Sequence, residues 1–578
     1  MNPESYVISH TVSPMTRVFD NTMPAEDFTY VSGMKNEPLA FSLAYRSTAS
    51  KFPNGRSPDT PIAVRVTSTL PVSVYKVCKV PYAASECEDG GTGAVGGCPD
   101  MLLPRIAAPE ILHMPLDANL PYYEKDQRNT LNAACFATQS VFIQINEDGK
   151  SQPAGDHTVT VEVIGLMSGK VLSTHVVTVH LVDAELPETD LILTNWFHQD
   201  CLFDITHRPL YSDAYFEILE KYLRGYVQNG MNTLLFPTFT PPLDTPIGGK
   251  RMNVQLVKVR VLENGYAFDF SLAERFVSVA KKVGVRTFEH THLFSQWGAA
   301  HAITIYGEKD GKEICLFNHT TPADSPEYSA FLKAYLSAFA DFTKRLGIEN
   351  DIFYHISDEP VPENIDGYRR AKALMRSIFP NGKFGDALDD YAFYKEGLVE
   401  MPIVDVQSVK NYEGRCDNMM LYYTGGEQTP GLVNRILSSA PQRTRALGYV
   451  LYNYNAKGFL HWAYNNYYGR LSNGIFHPAQ DPCFYKNIPG VTYLVYPDTD
   501  GSPLPSLREK QMLAATLDYR ALRLLEGLVG REETLMICEK ALGMKIYVTA
   551  VPKDGDAVLA MREAINQRIE EYLLKISP

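Results

Sequence analysis

The sequence predicts a multidomain protein with an N-terminal antiparallel β-sandwich, a (β/α)8 TIM-type barrel and a mainly helical C-terminal segment. Three observations support this prediction: alternating β segments in the first third of the chain, strand-then-helix units through its middle, and long helical stretches at its end. A chain of 578 residues has room for about two to four domains. We therefore predict domains at 1–186, 187–504 and 505–578.

The first domain has the pattern of short strands separated by turns. In the pair 157–166 and 171–182, Val, Ile and Thr alternate with polar residues on either side of a Met-Ser-Gly-Lys turn. This alternation with a period of two predicts a hairpin in an antiparallel sheet. Further strands are predicted at 61–69, 72–80 and 139–148.

After Pro187 the pattern changes to strands followed by helices. The stretches 213–230, 271–284 and 328–347 carry apolar residues at i, i+3, i+4 and i+7, and each ends in glycine, which favours helix termination. About eight such repeats in about 300 residues favour a (β/α)8 barrel over a doubly wound sheet. The predicted strands are 191–196, 232–237, 285–292, 351–359, 383–388, 402–409, 418–425 and 459–465.

The C-terminal segment is predicted to be helical and to pack on the barrel. Its two helical stretches begin near Ser506 and Ala557, and both have the apolar periodicity of amphipathic helices.

Composition and charge restrict the class of protein. With 45% hydrophobic and 21% charged residues, the chain has the composition of a folded globular protein. Its net charge of −13 argues against nucleic-acid binding, which requires clustered Lys and Arg. No apolar run approaches the roughly 20 residues that span a bilayer, and no signal peptide is visible at the start. We expect a cytoplasmic protein, or a secreted one if a leader has been removed.

Two features that suggest a cofactor or a metal are better explained otherwise. The nine cysteines contain no CxxC and no Cys/His zinc spacing, so we interpret them as buried or free thiols, although Cys87 and Cys98 flank a glycine-rich loop and are candidates for a disulfide. The stretch 91–96 matches GxGxxG, but no helix follows it, as a dinucleotide site requires. We predict a surface loop there and no cofactor.

His290 and His292 leave a metal-dependent hydrolase open as an alternative. They are two residues apart on a predicted strand, so both side chains are expected to face the same way. No HExxH motif is present and no third ligand follows from the spacing. Two histidines at the rim of a barrel also serve as hydrogen-bonding partners of a substrate, which is the interpretation we favour; we predict no metal.

The adjacent acids Asp358 and Glu359 are the candidate catalytic residues. They can be read as the cap of a helix that begins near Pro362, because acidic residues stabilise a helix N-terminus. One acidic residue would serve that purpose, however, and the pair ends the fourth predicted strand, where barrel enzymes carry their chemistry. Two neighbouring carboxylates do not ionise together easily, so one is expected to remain protonated as an acid while the other stays charged.

Alternation along this strand predicts the direction of each side chain. Phe353, His355, Ser357 and Glu359 are expected to face the barrel interior. Pro360 favours an extended Glu359, and Asp358 then needs a local distortion to reach the same space.

Aromatic residues at the same end of the predicted barrel favour a sugar-binding site. Trp196, Trp297 and Trp462 are the only tryptophans, and all three lie at or just past the ends of predicted strands. Sugars stack their apolar C–H faces on aromatic rings, and their hydroxyls need a few polar partners. The predicted substrate-binding residues are Trp196, His198, His290, His292, Trp297, His355, Asp386, Gln407, Tyr422, Trp462, Tyr464 and Asn465.

Four stretches give the sequence a resemblance to glycoside hydrolase family 123, the β-N-acetylgalactosaminidases and their relatives. YHISDEP (354–360) resembles the family's Asp-Glu strand, and GFLHWAYNNYY (458–468) resembles its last, Trp-containing strand. Residues 493–525 resemble the family's Tyr-Pro to Asp-Tyr segment, and 145–163 resemble the strand pair that precedes the barrel.

The resemblance implies a retaining exo-hydrolase that removes terminal β-linked N-acetylgalactosamine, or a related N-acetylhexosamine, from a glycan or glycolipid. It also implies substrate-assisted catalysis, in which the 2-acetamido oxygen forms an oxazolinium ion. Asp358 would orient the acetamido group, and Glu359 would act first as acid and then as base. A carbohydrate-binding protein with an inactive barrel is a further alternative. The residues leave the linkage, the aglycone and the oligomeric state open.

Overall fold

The computed structural model describes residues 3–49, 59–81, 97–104, 131–246, 248–425 and 431–576. Cys87 and the GxGxxG stretch 91–96 lie outside the described residues, so the predicted loop and the candidate Cys87–Cys98 disulfide stay predictions. No helix in the described part of the chain is long and apolar enough to cross a membrane.

Two sheets form the N-terminal part. Their strands are β1 Val7–Val12, β2 Tyr30–Met34, β3 Leu39–Ser47, β4 Thr60–Ser68, β5 Val72–Val80, β6 Cys98–Pro104, β7 Leu131–Ala133, β8 Gln139–Ile145, β9 Gly155–Gly165 and β10 Val171–Val182. The strand orders are β1-β3-β8-β5-β6 and β2-β10-β9-β4-β7. The predicted β9–β10 hairpin is confirmed, while β2 and β10 pair in parallel within an otherwise antiparallel arrangement.

Both sheets contribute to one hydrophobic core. Leu43 of β3 and Ile143 of β8 pack in the same buried cluster as Val161 of β9 and Val179 of β10. These residues follow the alternation that was predicted from the sequence, because every second side chain of each strand faces the other sheet.

The remaining strands follow Pro187. They are β11 Ile192–Asn195, β12 Thr233–Phe236, β13 Lys258–Leu262, β14 Gly265–Asp269, β15 Thr287–His290, β16 Ile305–Lys309, β17 Lys312–Phe317, β18 Ile352–Tyr354, β19 Lys383–Phe384, β20 Ala387–Leu388, β21 Ile403–Asp405, β22 Met420–Tyr422, β23 Gly458–His461, β24 Tyr496–Pro497 and β25 Pro503–Leu504. Nine of them form a curled parallel sheet, in the order β19-β18-β15-β12-β11-β23-β22-β21-β20.

The two edge strands of this sheet are consecutive in the chain. Only Gly385 and Asp386 separate β19 from β20. The N–H of Gly385 donates to the carbonyl of Tyr354 at 3.1 Å, and the N–H of Ile403 donates to the carbonyl of Asp386 at 3.0 Å. One short segment is therefore hydrogen-bonded to both β18 and β21.

The described helices are α1 Gln199–Thr206, α2 Asp213–Gln228, α3 Ser271–Val283, α4 Pro326–Leu346, α5 Ile365–Ile378, α6 Ala392–Lys395, α7 Pro441–Arg445, α8 Leu447–Asn453, α9 Leu507–Val529, α10 Arg531–Leu542 and α11 Gly555–Ile576. The side chain of Ser325 accepts a hydrogen bond from the N–H of Tyr328 and caps α4. Gly284 and Gly347 end α3 and α4 at φ 105° and 65°, a conformation that favours glycine.

Helices α9 and α11 join the two parts of the molecule. Helix α9 packs on α7 and α8, and α11 packs on β2 and β10. Arg508 of α9 forms a buried ion pair with Asp100 of β6 at 3.0 Å. The C-terminal segment was predicted to be helical, and in the structure its helices also pack on the N-terminal sheets.

A small sheet was not predicted. Strands β13, β14, β16 and β17 form it in the order β14-β13-β16-β17, and they come from segments on either side of α3 and β15. Their side chains have mixed exposure without a continuous buried face, which explains why the sequence pattern gave no signal.

Candidate active site

The carboxyl ends of the parallel strands open on a cavity of about 340 Å³, here named the central cavity. In a curled parallel sheet the loops after the strands meet at this end, which is where such folds carry ligand sites. The described residues lining the central cavity are Trp196, Leu243, Asp244, Gln296, Trp297, Asp358, Glu359, Ala387, Tyr422, Thr424, Gly425, Leu460, Trp462, Tyr485, Lys486 and Ile488.

Asp358 and Glu359 both line this cavity. Strand β18 ends at Tyr354, so the strict alternation of a strand no longer applies four residues later. Glu359 has φ 43°, in the left-handed region, whereas Pro360 predicted an extended residue; that prediction was wrong. The left-handed turn allows two consecutive side chains to face the same space. It provides the local distortion that was expected to bring Asp358 into the space that Glu359 faces.

The loop that carries Trp297 fixes the backbone of the pair. The N–H of Trp297 donates to the carbonyl of Asp358 at 2.8 Å. Trp297 itself has φ 62°, which is unusual for an aromatic residue. Non-glycine residues in this region carry strain and persist where surrounding contacts hold them, often at functional sites.

Asp358 is buried and tends to be protonated. Burial, together with the negative charge of Glu359, raises its pKa to about 7. The side-chain amide of Gln296 donates to Oδ2 of Asp358 at 2.9 Å and partly offsets this effect. The carboxyl group can therefore change its charge near neutral pH.

Glu359 is held by Tyr422. The tyrosine hydroxyl lies 3.0 Å from Oε1 of Glu359 and 3.1 Å from Oδ1 of Asp389. A hydroxyl carries one hydrogen, so it can donate to one carboxylate at a time. A proton on either carboxyl group completes the second hydrogen bond.

A buried ion pair network lies beneath the pair. The two ring nitrogens of His355 lie 3.0 Å from Oδ1 of Asp386 and 3.0 Å from Oε2 of Glu289. Burial opposes the charged ring, but these hydrogen bonds and charges raise the pKa of His355 to about 9. Asp386 also accepts from the backbone N–H of Ile356 at 3.0 Å and of Ser357 at 3.3 Å. The residues immediately before Asp358 are thus anchored to a buried carboxylate.

The two histidines of the metal alternative point in different directions. Nε2 of His290 lies 2.8 Å from the hydroxyl of Tyr335 in α4, on the helical side of the sheet. His292 lies beyond the end of β15 and packs on Trp196 and His355. The prediction that both side chains face the same way was wrong, because the strand ends at His290.

A second histidine combination also fails to fit a metal. His292, His355 and Asp386 cluster within 4.8 Å. The rings of His292 and His355 are stacked, with centroids 4.4 Å apart and an interplanar angle of 21°. An ion bound to imidazole lies in the plane of the ring, so two nearly parallel rings do not converge on one ion. Both nitrogens of His355 are also occupied by carboxylates.

Of the residues predicted to bind substrate, Trp196, Trp297, Tyr422 and Trp462 line the central cavity. His198 lies behind it, where Nε2 is 3.0 Å from the carbonyl of Trp462. The other predicted residues do not line the cavity. The side chain of Asn465 is hydrogen-bonded to the backbone N–H and carbonyl of His198, the hydroxyl of Tyr464 donates to Glu509 of α9, and Gln407 is exposed. His355 and Asp386 belong to the buried network beneath Asp358 and Glu359, and His290 and His292 have the contacts given above.

Several lining residues were missed from the sequence. Gln296 is adjacent to Trp297, and that adjacency was the one available signal. Asp244 and Tyr485 come from two distant loops, and the tyrosine hydroxyl lies 3.3 Å from Oδ1 of Asp244. Loops of this kind have no periodicity, so no spacing pattern brings them together.

Comparison with known proteins gives a family match and a structural match over nearly the full length of the chain. The family model "Glycoside hydrolase 123, catalytic domain" matches residues 196–525. A family 123 glycoside hydrolase from Clostridium perfringens, studied for glycolipid glycan hydrolysis, is similar with a TM-score of 0.71 and 13% identity over 99% of each chain. At that identity the likeness establishes a shared fold.

Two other solved structures are only distantly similar. The GH2 β-galacturonidase of Eisenbergiella tayi has a TM-score of 0.31 and 10% identity, with 89% of this chain and 72% of that chain covered. The β-glucuronidase of Bacteroides uniformis has a TM-score of 0.29 and 8% identity, with coverages of 82% and 48%. No curated protein matches the chain.

Proposed function

The chain belongs to glycoside hydrolase family 123, and from that premise we propose that it is a retaining exo-hydrolase for terminal β-linked N-acetylgalactosamine or a related N-acetylhexosamine. Its substrate would be a glycan or a glycolipid. The observation that carries the proposal is that the adjacent carboxyl groups of Asp358 and Glu359 line one aromatic-walled cavity.

The cavity has the composition that a sugar site requires. Trp196, Trp297 and Trp462 provide aromatic surface for the C–H faces of a sugar ring, while Asp244 and Gln296 provide polar partners for hydroxyl groups. Its volume of about 340 Å³ is at the small end of the range for ligand pockets. A small cavity of this kind favours recognition of one terminal sugar.

In the proposed first step, the acetamido oxygen of the substrate attacks the anomeric carbon. The bond to the leaving oxygen breaks as Glu359 donates a proton to that oxygen, and an oxazolinium ion forms. Asp358, in its charged form, accepts a hydrogen bond from the acetamido N–H and stabilises the developing positive charge. Burial and the charge of Glu359 raise the pKa of Asp358 to about 7, so the two neighbouring carboxyl groups would share one proton. The hydrogen bond from the acetamido N–H would favour the charged form of Asp358 and leave that proton on Glu359.

In the second step, water attacks the anomeric carbon and opens the oxazolinium ring. Glu359, now ionised, accepts the proton of that water and returns to its starting state. Two displacements at the same carbon retain the anomeric configuration. No carboxylate of the protein needs to act as nucleophile, so two adjacent residues suffice.

A conventional double displacement is the second candidate, because Asp244 also lines the cavity. In that mechanism a carboxylate of the enzyme attacks the sugar, and the 2-acetamido group is unnecessary.

A panel of 4-nitrophenyl β-glycosides separates the two mechanisms. The proposal expects cleavage of N-acetylhexosaminides with retention, seen by NMR of the first-formed anomer. Equal cleavage of the 2-hydroxy sugars would contradict substrate assistance. Sugar binding without turnover of any glycoside would indicate a carbohydrate-binding protein.

The finer architecture is also part of this proposal. The shared core of the two N-terminal sheets supports a β-sandwich domain at 1–186. The segment 383–388 is hydrogen-bonded to β18 on one side and to β21 on the other. This supports a (β/α)8 barrel at 187–504 in which β19 and β20 together form the closing strand. Residues 505–578 would then form the helical segment between the two.

A further inference from the structure

A second cavity of about 320 Å³ lies next to the central cavity, and we name it the side cavity. Gln296 and Trp297 line both cavities, so these two side chains form the boundary between them. One wall of the side cavity comes from the unpredicted sheet, through Tyr306 and Cys315. The two spaces are therefore close enough to hold neighbouring units of one ligand.

The charges of the two cavities differ. Three acidic residues, Asp244, Asp358 and Glu359, line the central cavity together with one basic residue, Lys486. The basic side chains Lys250, Arg251, His301 and His319 line the side cavity, and no carboxylate does so among its described residues. This contrast is notable in a chain with 67 acidic and 54 basic residues, whose overall charge would repel an anion.

Lys250 is the group that can serve an anion directly. Arg251 is paired with the buried Asp200, at 2.6 Å, so its charge is already balanced. Lys250 is exposed and forms no ion pair with any residue in the described ranges. Its ammonium group is thus available to a ligand in the side cavity.

Two buried polar atoms at the cavity walls lack partners. The Oε1 atom of Gln296 and the Nδ1 atom of His301 are buried and have no hydrogen-bond partner in the described part of the chain. Buried polar atoms are normally hydrogen-bonded, because an unpaired buried donor or acceptor loses its hydrogen bonds to water without replacement. The amide of Gln296 is already oriented by Asp358, so its carbonyl is fixed to accept a hydrogen bond at the boundary between the cavities.

Trp297 gives the boundary a surface for stacking. Its side chain is 41% exposed, and its backbone is held by Asp358 on one side and by the amide of Asn364, at 3.2 Å, on the other. A fixed, exposed aromatic ring at the junction of two polar cavities suits a sugar chain that passes across it.

We propose that the side cavity binds the sugar on the leaving-group side of the cleaved bond and selects one that carries an anionic group, either a carboxylate or a sulfate. The proposal rests on the glycosidase function proposed above. Gln296 and Trp297 would contact the junction of the two sugars, and Lys250 would pair with the anion.

The test compares substrates that differ only in the leaving sugar. The common unit is a β-linked N-acetylgalactosamine, attached to galactose, to galacturonic acid or to 6-O-sulfated galactose. We expect kcat/KM to be higher for at least one anionic substrate by roughly three- to tenfold, the effect of one partly screened ion pair. The preference should decrease as salt is added. Preference for one anionic substrate alone identifies which anion the cavity takes.

Lys250→Gln supplies the specific control. It should remove the preference while leaving hydrolysis of 4-nitrophenyl β-N-acetylgalactosaminide unchanged, because that small leaving group carries no anion for Lys250. Lys170→Gln, at an exposed turn of the N-terminal sheets, is the matched variant and should change nothing. Calorimetric titration of the anionic disaccharides into Glu359→Gln measures the same selectivity without turnover.

The outcomes separate this inference from the proposed function. Turnover of the nitrophenyl substrate without any preference between the disaccharides, or a preference that survives Lys250→Gln, would overturn the inference alone. Absence of turnover on every N-acetylhexosaminide would overturn the proposed function as well.

Discussion

The hydroxyl of Tyr422 lies 3.0 Å from Oε1 of Glu359, and the same hydroxyl lies 3.1 Å from Asp389. Tyr422 is the last residue of β22, and four strands separate β22 from β18 in the order of the curled sheet. The candidate acid is therefore positioned by a side chain that comes from a different part of the sheet.

Glu359→Gln should lower kcat for a poor leaving group by about 10²- to 10⁴-fold, the usual contribution of a general acid–base group. The glutamine side chain cannot donate an acidic proton, but an activated phenol leaves without one. Activity on 2,4-dinitrophenyl glycosides should therefore be partly retained. Asp389→Asn, which alters the other carboxyl partner of Tyr422, is the matched control and should not show this dependence on the leaving group.

Tyr422→Phe should lower kcat/KM by roughly ten- to hundredfold, because it removes a hydrogen bond to a carboxyl group that must hold its position. The ring and its packing remain, so the melting temperature should change little. Steady-state kinetics and thermal denaturation check both expectations. A large loss of stability with unchanged kcat/KM in the folded fraction would mean that the hydroxyl has only a structural role.

Asp358→Asn should abolish substrate assistance and stabilise the fold at alkaline pH. Burial, with the charge of Glu359, raises the pKa of Asp358 from 3.8 to about 7, so the folded state favours the protonated form. The resulting stability is fully present below about pH 3.8 and is lost as the pH rises to about 7. At pH 8 the variant should be more stable than the parent by about 1–3 kcal/mol in denaturant unfolding. Equal stability of the two proteins at pH 8 would contradict this account.

The architecture was largely predictable from the sequence, because its signals are local. Helices α2, α3 and α4 carry a clear apolar period and end near Gly230, Gly284 and Gly347. Every predicted strand of the parallel sheet is present, although each is shorter than predicted. The predicted strand 383–388 is divided at Gly385 and Asp386, where the carboxylate of Asp386 turns to bind His355.

The site was only partly predictable, because its details depend on non-local contacts. The three tryptophans line the cavity, as rim aromatics can. A buried hydrogen-bond network is formed by His355, Asp386 and Glu289. Strand alternation predicts that such side chains face the interior, but it does not predict whether they bind substrate or hold the loop of Asp358 and Glu359 in place. The left-handed conformation of Glu359 overrides the preference imposed by Pro360, because the loop of Trp297 holds the adjacent carbonyl.

A metal chelator should leave activity unchanged. His290 and His292 diverge, and the ring planes of His292 and His355 differ by only 21°, so these side chains do not form an ion site. Activity on the nitrophenyl substrate is to be measured after prolonged dialysis against EDTA, with and without added Zn²⁺. Loss of activity that Zn²⁺ restores would contradict the mechanism proposed above.

Asp386→Asn should destabilise the fold and remove part of its pH dependence. Hydrogen bonds and charges from Asp386 and Glu289 outweigh burial and raise the pKa of His355 from 6.5 to about 9. The stability that this provides is fully present below about pH 6.5 and is lost as the pH rises through about 9. Between about pH 6.5 and pH 9, deprotonation of His355 should therefore lower the unfolding free energy of the parent by up to about 3 kcal/mol.

The variant should lose about 2–4 kcal/mol at pH 6.5, because a buried charged ring and two backbone N–H groups lose an anionic partner. Above pH 9 the parent and the variant should approach each other in stability, since the ring is neutral in both. Asp389→Asn, three residues away and exposed, is the matched control and should keep the parent's pH dependence. Urea unfolding of the three proteins between pH 6 and 10 measures these differences. A stability difference between parent and Asp386→Asn that stays constant over the whole range would show that Asp386 holds the backbone of Ile356 and Ser357 without a charged His355.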